Sequence, residues 1–132
     1  MKDKKKSVFV SQRNPVFFIA EIGSNFDSDL SRAKDLIYMA KESGADAAKF
    51  QHYSADTLVS DFGFKNISNK SHQSEWKKSV YETYKNASLR QDWTETLHDL
   101  CLDAELSFLT SPYSFELIDH VEAYVPAFKV GS

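Results

Sequence analysis

Four short hydrophobic segments each end in residues that can bind an anion or move a proton. The segments are Val16 to Glu21, Ala47 to Gln51, Ser107 to Ser111 and Ala127 to Ser132. The polar residues that they deliver are Glu21, Lys49 with Gln51, Thr110 with Ser111, and Lys129 with Ser132. In parallel α/β folds ligands bind at the carboxyl ends of the strands, so these side chains are expected to converge. Two ammonium groups with several hydroxyls predict an anionic, phosphorylated substrate.

The sequence leaves the roles of Glu21 and Lys49 open. A carboxylate at the end of an apolar strand can act as a general base, orient a hydroxyl or aldehyde, or hold a lysine in place. Lys49 lies in an otherwise apolar strand and needs an anionic partner, because desolvating an unpaired ammonium is costly. That partner is either Glu21, in a structural ion pair, or a bound phosphate.

Other groups near the strand ends add donors for an anion. Lys129 is followed by Gly131, which lets the backbone approach a ligand, and by the hydroxyl and amide of Ser132. The opening amides of a helix after Pro112 could also bind a phosphate, and an ordinary cap by Ser114 is compatible with that. The sequence contains no Walker-type loop and no GxGxxG, so nucleotide binding has no positive support.

The histidines and the single cysteine do not form a metal motif. No two of His52, His72, His98 and His120 have the spacing of a metal-binding pair. His98 and His120 fall on predicted helices and are expected to face solvent, whereas His52 follows a strand and could border the pocket. Cys101 has helical spacing from apolar neighbours and is interpreted as a core thiol.

Composition limits the class of protein. The chain has 132 residues, 42% of them hydrophobic and 14% aromatic, which is typical of one globular domain. The net charge of −3 argues against a nucleic-acid or membrane surface as the partner. No apolar run approaches the roughly 20 residues that span a bilayer, and the basic start lacks the apolar core of a signal peptide. The expected compartment is the cytoplasm.

The pattern of elements predicts an α/β fold. Residues 1–14 are expected to form a flexible arm, and residues 15–132 one incomplete barrel domain. A helix is predicted from Leu30 to Ser43, capped by Asp29 and ended at Gly44. Further helices are predicted near residues 73–85, over residues 90–104 with a capping box at Ser88 and Gln91, and from Ser114 to about residue 123.

The β/α order with short turns favours a parallel sheet. Four such strands make either half of an eight-stranded barrel or a small doubly wound sheet. The sequence stops directly after the fourth strand with no covering helix, which favours the first alternative. The fold prediction is therefore the N-terminal half of a TIM (β/α)8 barrel.

Three separated motifs carry a family resemblance that covers about residues 16–132. They are FIAEIGSNFDSDLSRAKDLIYMAKESGADAAKFQ, FLTSPYS and VPAFKVGS. In this order they resemble the sialic acid synthases, that is, the N-acetylneuraminate synthases and their legionaminate and pseudaminate relatives. The resemblance implies a TIM-barrel transferase of carbohydrate biosynthesis. Such an enzyme condenses phosphoenolpyruvate with an N-acylated amino sugar, typically N-acetylmannosamine, to give a nine-carbon 2-keto acid and phosphate.

The resemblance also implies roles for individual residues. Those that would hold the phosphate and carboxylate of phosphoenolpyruvate are Lys49, Ser111, Lys129 and Ser132. Glu21 would be the acid near the reacting aldehyde, and Gln51, Thr110 and Asn25 would line the same substrate site. A divalent metal, Mn or Mg, would activate the aldehyde, with ligands that this chain does not carry. Full-length members of the family are expected to be homodimers.

One motif departs from the family pattern. The usual Asn-His-Asn-Gly turn is Asn25-Phe26-Asp27-Ser28 here, which removes an imidazole and a glycine beside the expected sugar site. The 132-residue chain is expected to be inactive on its own. Two alternatives stay open: an inactive half-barrel remnant that binds small anions or a protein partner, and another phosphoenolpyruvate-dependent keto-sugar-acid synthase.

Overall fold

A parallel sheet forms the centre of the structure. The computed structural model describes residues 15–66 and 78–131. Its strands β1 (Ile19–Gly23), β2 (Ala47–His52) and β3 (Ser107–Pro112) pair in that order and run parallel. The predicted α/β class is therefore confirmed. The arm predicted for residues 1–14 lies outside the described residues.

Helices connect and follow the strands. They are α1 (Leu30–Glu42) between β1 and β2, then α2 (Ala55–Leu58), α3 (Asp61–Asn66), α4 (Val80–Ala87) and α5 (Thr94–Asp103) between β2 and β3, and α6 (Phe115–Val121) after β3. A 3-10 turn, Gln91–Trp93, leads directly into α5. In the described part of the chain, no helix combines the length and the apolar character that crossing a bilayer requires.

Local signals set the ends of α1 as predicted. The Asp29 carboxylate accepts hydrogen bonds from the amides of Ser31 and Arg32 at 2.8 and 3.3 Å. Gly44 follows the helix with φ of +83°, a left-handed conformation that costs glycine little because it has no Cβ. The prediction for this helix is therefore correct to within one residue at its carboxyl end. Ser114 likewise caps α6 through its hydroxyl.

The predicted capping box at Ser88 and Gln91 is wrong. The capping box lies at Ser79 and Glu82, where each side chain meets the backbone of the other residue. Ser88 instead ends α4, and its hydroxyl donates to the Tyr84 carbonyl at 2.8 Å. The sequence offers the same serine-led pattern twice, and only the first copy precedes a continuous α-helix.

The predicted fourth strand is reduced to one bridge. Thr110 pairs in parallel with Phe128, and the Lys129 amide donates to the Thr110 carbonyl at 3.2 Å. Phe128 and Val130 are 45% and 84% exposed, so the segment lacks the packing that would extend the bridge into a ladder. The prediction of a strand over residues 127–130 is wrong for the described residues.

Strand alternation gives the sheet two different faces. Ala48, Phe50 and Phe108 point to one face and pack with buried residues of the helices, among them Ile37 of α1 and Leu97 of α5. Glu21, Lys49 and Leu109 are partners in register and share the opposite face. We call this second surface the inner face. The main core therefore lies between the sheet and the helices, and the charged residues lie away from it.

Candidate functional site

The inner face carries an ion pair between adjacent strands. Glu21 and Lys49 are direct partners in the β1–β2 register, and the Lys49 Nζ contacts Glu21 Oε2. The lysine side chain is 8% exposed and the glutamate side chain 51% exposed. Of the two partners left open by the sequence, the described residues therefore supply Glu21. The carboxylate neutralises a buried ammonium and remains accessible from solvent.

Two further predicted residues lie beside this pair. Gln51 and Ser111 are partners in the β2–β3 register, one pleat further along the strands than Lys49. Because side chains alternate along a strand, both share the inner face with Lys49. Gln51 is half-buried and Ser111 is 1% exposed. An ammonium, a carboxylate, an amide and a hydroxyl thus meet at the carboxyl edge of the sheet.

The end of β1 places Asn25 at the rim of this edge. The β1–β2 register slips between Glu21 and Gly23, and Gly23 has φ of +57°. The Asn25 side-chain amide donates to the Ile22 carbonyl at 2.9 Å, while the Asn25 carbonyl accepts from Arg32 Nε at 2.8 Å. Asn25 is therefore exposed but held in a fixed turn.

Phe26 lies in the core rather than beside the site. Its side chain is 0% exposed and packs against Phe50 and Trp93, with ring centroids 6.5 and 6.2 Å away. The expectation that this position changes the surroundings of a sugar is therefore corrected, since a buried ring contacts no ligand. Ser28 has φ of +58°, so it adopts the left-handed conformation at the position where the family motif has glycine.

Thr110 is separated from the other predicted ligands. It is the register partner of Phe50, so its side chain points to the helix-covered face, and it is fully buried. Its hydroxyl lies 2.8 Å from His52 Nδ1. The other ring nitrogen of His52 lies 3.0 Å from the Thr94 hydroxyl, which is 2.9 Å from His120 Nε2. We call His52, Thr94, Thr110 and His120 the His52 network.

Burial and hydrogen bonding determine the charge of the central imidazole in the His52 network. The Thr94 hydroxyl lies 2.8 Å from the Gln91 carbonyl as well as beside His52, and both ring nitrogens of His52 have a hydroxyl partner. Burial and, to a smaller extent, the nearby His120 together lower the pKa of His52 from 6.5 to about 4. The imidazole is therefore neutral near pH 7.

Sequence reasoning missed the His52 network and the burial of its histidines. The sequence allows His52 to border the pocket and predicts that His120 and His98 face solvent. His52 is instead fully buried, while His120 and His98 are half-buried and contact the Tyr124 ring. One signal was available, because Ala48, Phe50 and His52 alternate on the same face of β2 and the first two are core residues.

The last predicted residues lie near the carboxyl end of the chain. The Lys129 side chain is exposed, and its backbone follows the Phe128 bridge beside β3. Gly131 lies against Tyr113, since a Cβ placed on it would come within 2.9 Å of the ring. Ser132 lies outside the described residues, so its predicted role stays a prediction.

The described residues do not form a ligand set for the divalent metal that the resemblance implies. Within residues 15–66 and 78–131, no three of the His, Cys, Asp and Glu side chains come together as a possible ligand set. Both ring nitrogens of His52 already have partners in the His52 network. Cys101 is buried, and burial raises the pKa of its thiol to about 12, in keeping with a core residue.

Comparison with known proteins connects this arrangement to one family. The model of the NeuB family matches residues 36–132. The chain belongs to the NeuB family. It is 39% identical over 103 residues to N,N'-diacetyllegionaminic acid synthase of Legionella pneumophila, covering 78% of this chain and 29% of that protein. It is 33% identical over 125 residues to human N-acetylneuraminate-9-phosphate synthase, covering 94% of this chain and 34% of that protein.

A solved structure supports the same relationship. The spore coat polysaccharide biosynthesis protein SpsE of Bacillus subtilis superposes with a TM-score of 0.66 and 30% identity, covering 92% of this chain and 30% of that one. The structural neighbours are TIM-barrel synthases of the NeuB type, and this chain corresponds to their N-terminal part. The fold prediction is thereby confirmed. The chain spans about a third of the length of the relatives that it matches.

Proposed function

We propose that this chain carries the phosphoenolpyruvate side of a nonulosonic acid synthase site. The reaction would join C3 of phosphoenolpyruvate to the aldehyde carbon of an N-acylated amino sugar. Water would then add at C2 and inorganic phosphate would leave, giving a 2-keto acid. The membership in the NeuB family and the names of the sialic and legionaminic acid synthase relatives support this proposal.

The observation that carries the proposal is the buried ammonium of Lys49 on the inner face. A lysine with 8% of its side chain exposed is an uncommon feature, and its half-exposed partner Glu21 leaves one side of the pair open to solvent. An incoming phosphate or carboxylate can therefore share the ammonium with Glu21 without a large rearrangement. In such a site an anion gains much of its binding energy, because the ammonium is already desolvated and fixed.

The neighbouring residues would complete the anion site and orient the sugar. Ser111 supplies a buried hydroxyl beside Lys49, and Lys129 supplies a second ammonium from the segment that follows the Phe128 bridge. Gln51, with both a donor and an acceptor, would contact the substrate from the same row as Ser111. Glu21 would face the aldehyde from its solvent-accessible side. Asn25 at the rim would contact the sugar.

No step of this proposal uses the divalent metal. The described residues offer no ligand set for it, so the roles above concern binding and orientation only. Thr110 is also left out of the ligand group, because its hydroxyl is turned to the helix-covered face and bonded to His52. We also propose a cytoplasmic location, on the composition of the sequence, and a homodimer at full length, on the family resemblance.

Calorimetric titration of the chain with phosphoenolpyruvate tests the proposed site. Lys49→Met and Lys129→Met should each weaken binding at least about 10-fold, because each removes an ammonium that contacts the anion. Lys41→Met is the matched control, since Lys41 is a partly exposed lysine of α1 that pairs with Glu105, away from the inner face. Binding that survives both site variants, or that Lys41→Met weakens equally, would contradict the proposal.

A second measurement distinguishes a chain that retains the phosphoenolpyruvate site from an inactive remnant that binds another partner. Release of inorganic phosphate is followed with phosphoenolpyruvate, Mn or Mg, and N-acetylmannosamine. We expect binding of phosphoenolpyruvate without turnover by the 132-residue chain. If the folded chain does not bind phosphoenolpyruvate, the alternative of a remnant with another partner is favoured. Binding of several unrelated small anions with equal affinity would favour a general anion site.

A further inference from the structure

The His52 network links the helix-covered face of the sheet to the proposed anion site. His52 is 0% exposed, and its side chain joins the carboxyl end of β2 to Thr110 of β3, to Thr94 at the start of α5 and, through Thr94, to His120 of α6. The neutral imidazole of His52 thus connects two strands, β2 and β3, with two helices, α5 and α6. None of the proposed substrate contacts involves this side chain, so its burial requires another explanation.

Two routes lead from His52 to the proposed ligands. Through its side chain, His52 holds Thr110, whose carbonyl accepts the Lys129 amide at 3.2 Å and whose chain neighbour is Ser111. Through its backbone, the His52 carbonyl accepts the Tyr113 amide at 3.0 Å, and the Tyr113 ring lies against Gly131. At each end, the segment over residues 129–131 therefore contacts a residue that is hydrogen-bonded to His52, to its side chain at Thr110 and to its backbone at Tyr113.

We propose that His52 is a positioning residue that holds the carboxyl end of β3 and the segment over residues 129–131 in place for anion binding. The proposal rests on the function proposed above for Ser111 and Lys129. The segment has one bridge to β3 and exposed side chains, so little else in the described residues fixes it. A ligand group is effective only when it is held close to its productive position.

The test compares three variants of the 132-residue chain. His52→Leu removes both hydrogen bonds, His52→Gln keeps a donor and an acceptor, and His98→Leu is the matched control. His98 packs its ring edge against Phe108 from α5 but lies outside the His52 network. The readouts are hydrogen exchange of the Tyr113 and Lys129 amides and calorimetric affinity for phosphoenolpyruvate.

We expect His52→Leu to lower protection of both amides and to weaken phosphoenolpyruvate binding, each by about 10-fold. His52→Gln should stay within about 3-fold of the parent, and His98→Leu within about 2-fold. The inference is overturned if His52→Leu behaves like His98→Leu, or if His52→Gln loses as much as His52→Leu. If the parent chain binds no phosphoenolpyruvate while exchange responds as expected, the proposed function fails and the mechanical link stands.

If His52→Leu does not fold, the pH dependence of the affinity for phosphoenolpyruvate tests the same inference. The titratable groups that the described residues place around His52 are His120 on α6 and, behind the Phe108 ring, His98 on α5. Because the pKa of His52 is lowered to about 4, its neutral state should persist through mild acid. Below that range the parent should lose affinity relative to His52→Gln. The ratio of the two affinities cancels titration of the phosphate itself. A ratio that stays constant from pH 7 to about pH 3, below the pKa of His52, would contradict the inference.

Discussion

Glu21 and Lys49 face each other across two parallel strands, and the carboxylate is the partner of a lysine that is almost fully buried. This relationship gives Glu21 a structural task in addition to any chemical one. A single substitution at Glu21 therefore changes both the charge balance of the sheet and the proposed site. The two effects can be separated, because the charge balance affects the free energy of unfolding and the proposed site affects the affinity for phosphoenolpyruvate.

Glu21→Gln should lower the free energy of unfolding by about 1–3 kcal/mol, measured by urea denaturation at pH 7. Removing one partner of a fully buried ion pair costs about 3–5 kcal/mol, and the half-exposed carboxylate reduces that figure. The control is Glu105→Gln, which breaks the exposed pair with Lys41 and should cost less than about 0.5 kcal/mol. Equal losses in the two variants would show that burial of Lys49 is irrelevant.

His52 should make stability depend on acidity. The pKa of His52 is about 4 in the folded chain and 6.5 in its unfolded reference, so the unfolded state takes up the proton first as the pH falls. Stability from this residue is complete above pH 6.5, declines below it and is lost near pH 4, by about 3 kcal/mol in all. Urea midpoints at pH 7 and 4 should therefore shift more for the parent than for His52→Gln. Identical shifts would rule out this residue as the cause.

Local sequence was sufficient for some of these features. Asp29 and Gly44 mark the two ends of α1 by cap chemistry that acts within one turn, and the structure follows them. The inner face was also foreseeable, because Lys49 and Gln51 are two residues apart on an apolar strand. Alternation alone places both on one face of a strand.

Other features depend on partners distant in the sequence. The His52 network needs Thr94 and His120, which reach His52 only after the chain has folded. The fourth strand failed for a similar reason. Ala127 to Val130 has strand-like residues, but Phe128 and Val130 are 45% and 84% exposed, so packing does not extend the single bridge to β3 into a strand. The burial of the Phe26 side chain likewise depends on the rings of Phe50 and Trp93, which are distant in the sequence.

Phe26→His should destabilise the chain although it restores the imidazole of the usual family motif. The position is 0% exposed among aromatic rings, so an imidazole there would lose apolar contacts and bury polar nitrogens. We expect a loss of about 2–4 kcal/mol in the free energy of unfolding, against about 1–1.5 kcal/mol for Phe26→Leu, a swap that stays apolar. Thermal unfolding followed by circular dichroism measures both. An imidazole as well tolerated as leucine would mean that the ring reaches solvent.

Cys101 should be inert in the native chain. It is buried at 0% exposure, and the raised pKa of its thiol, about 12, leaves almost no thiolate at pH 7.5. Reaction with a disulfide reagent such as dithionitrobenzoate should occur only through unfolding and should become complete in 6 M guanidinium. A fast stoichiometric reaction without denaturant would place the thiol at the surface.

Gly131→Ala should disturb the proposed anion site through Tyr113. An added Cβ would lie 2.9 Å from the ring, closer than such contacts normally come, so the ring or the backbone must move. The Tyr113 ring is 36% exposed and can shift, so the unfolding free energy should fall by less than about 1 kcal/mol. Displacement of the backbone beside Lys129 should nevertheless weaken phosphoenolpyruvate binding about 5-fold. In a Tyr113→Ala background the clash is absent, so adding Gly131→Ala should change affinity less than about 2-fold. If Gly131→Ala weakens binding equally in both backgrounds, the contact between Gly131 and the ring is not what orders the segment.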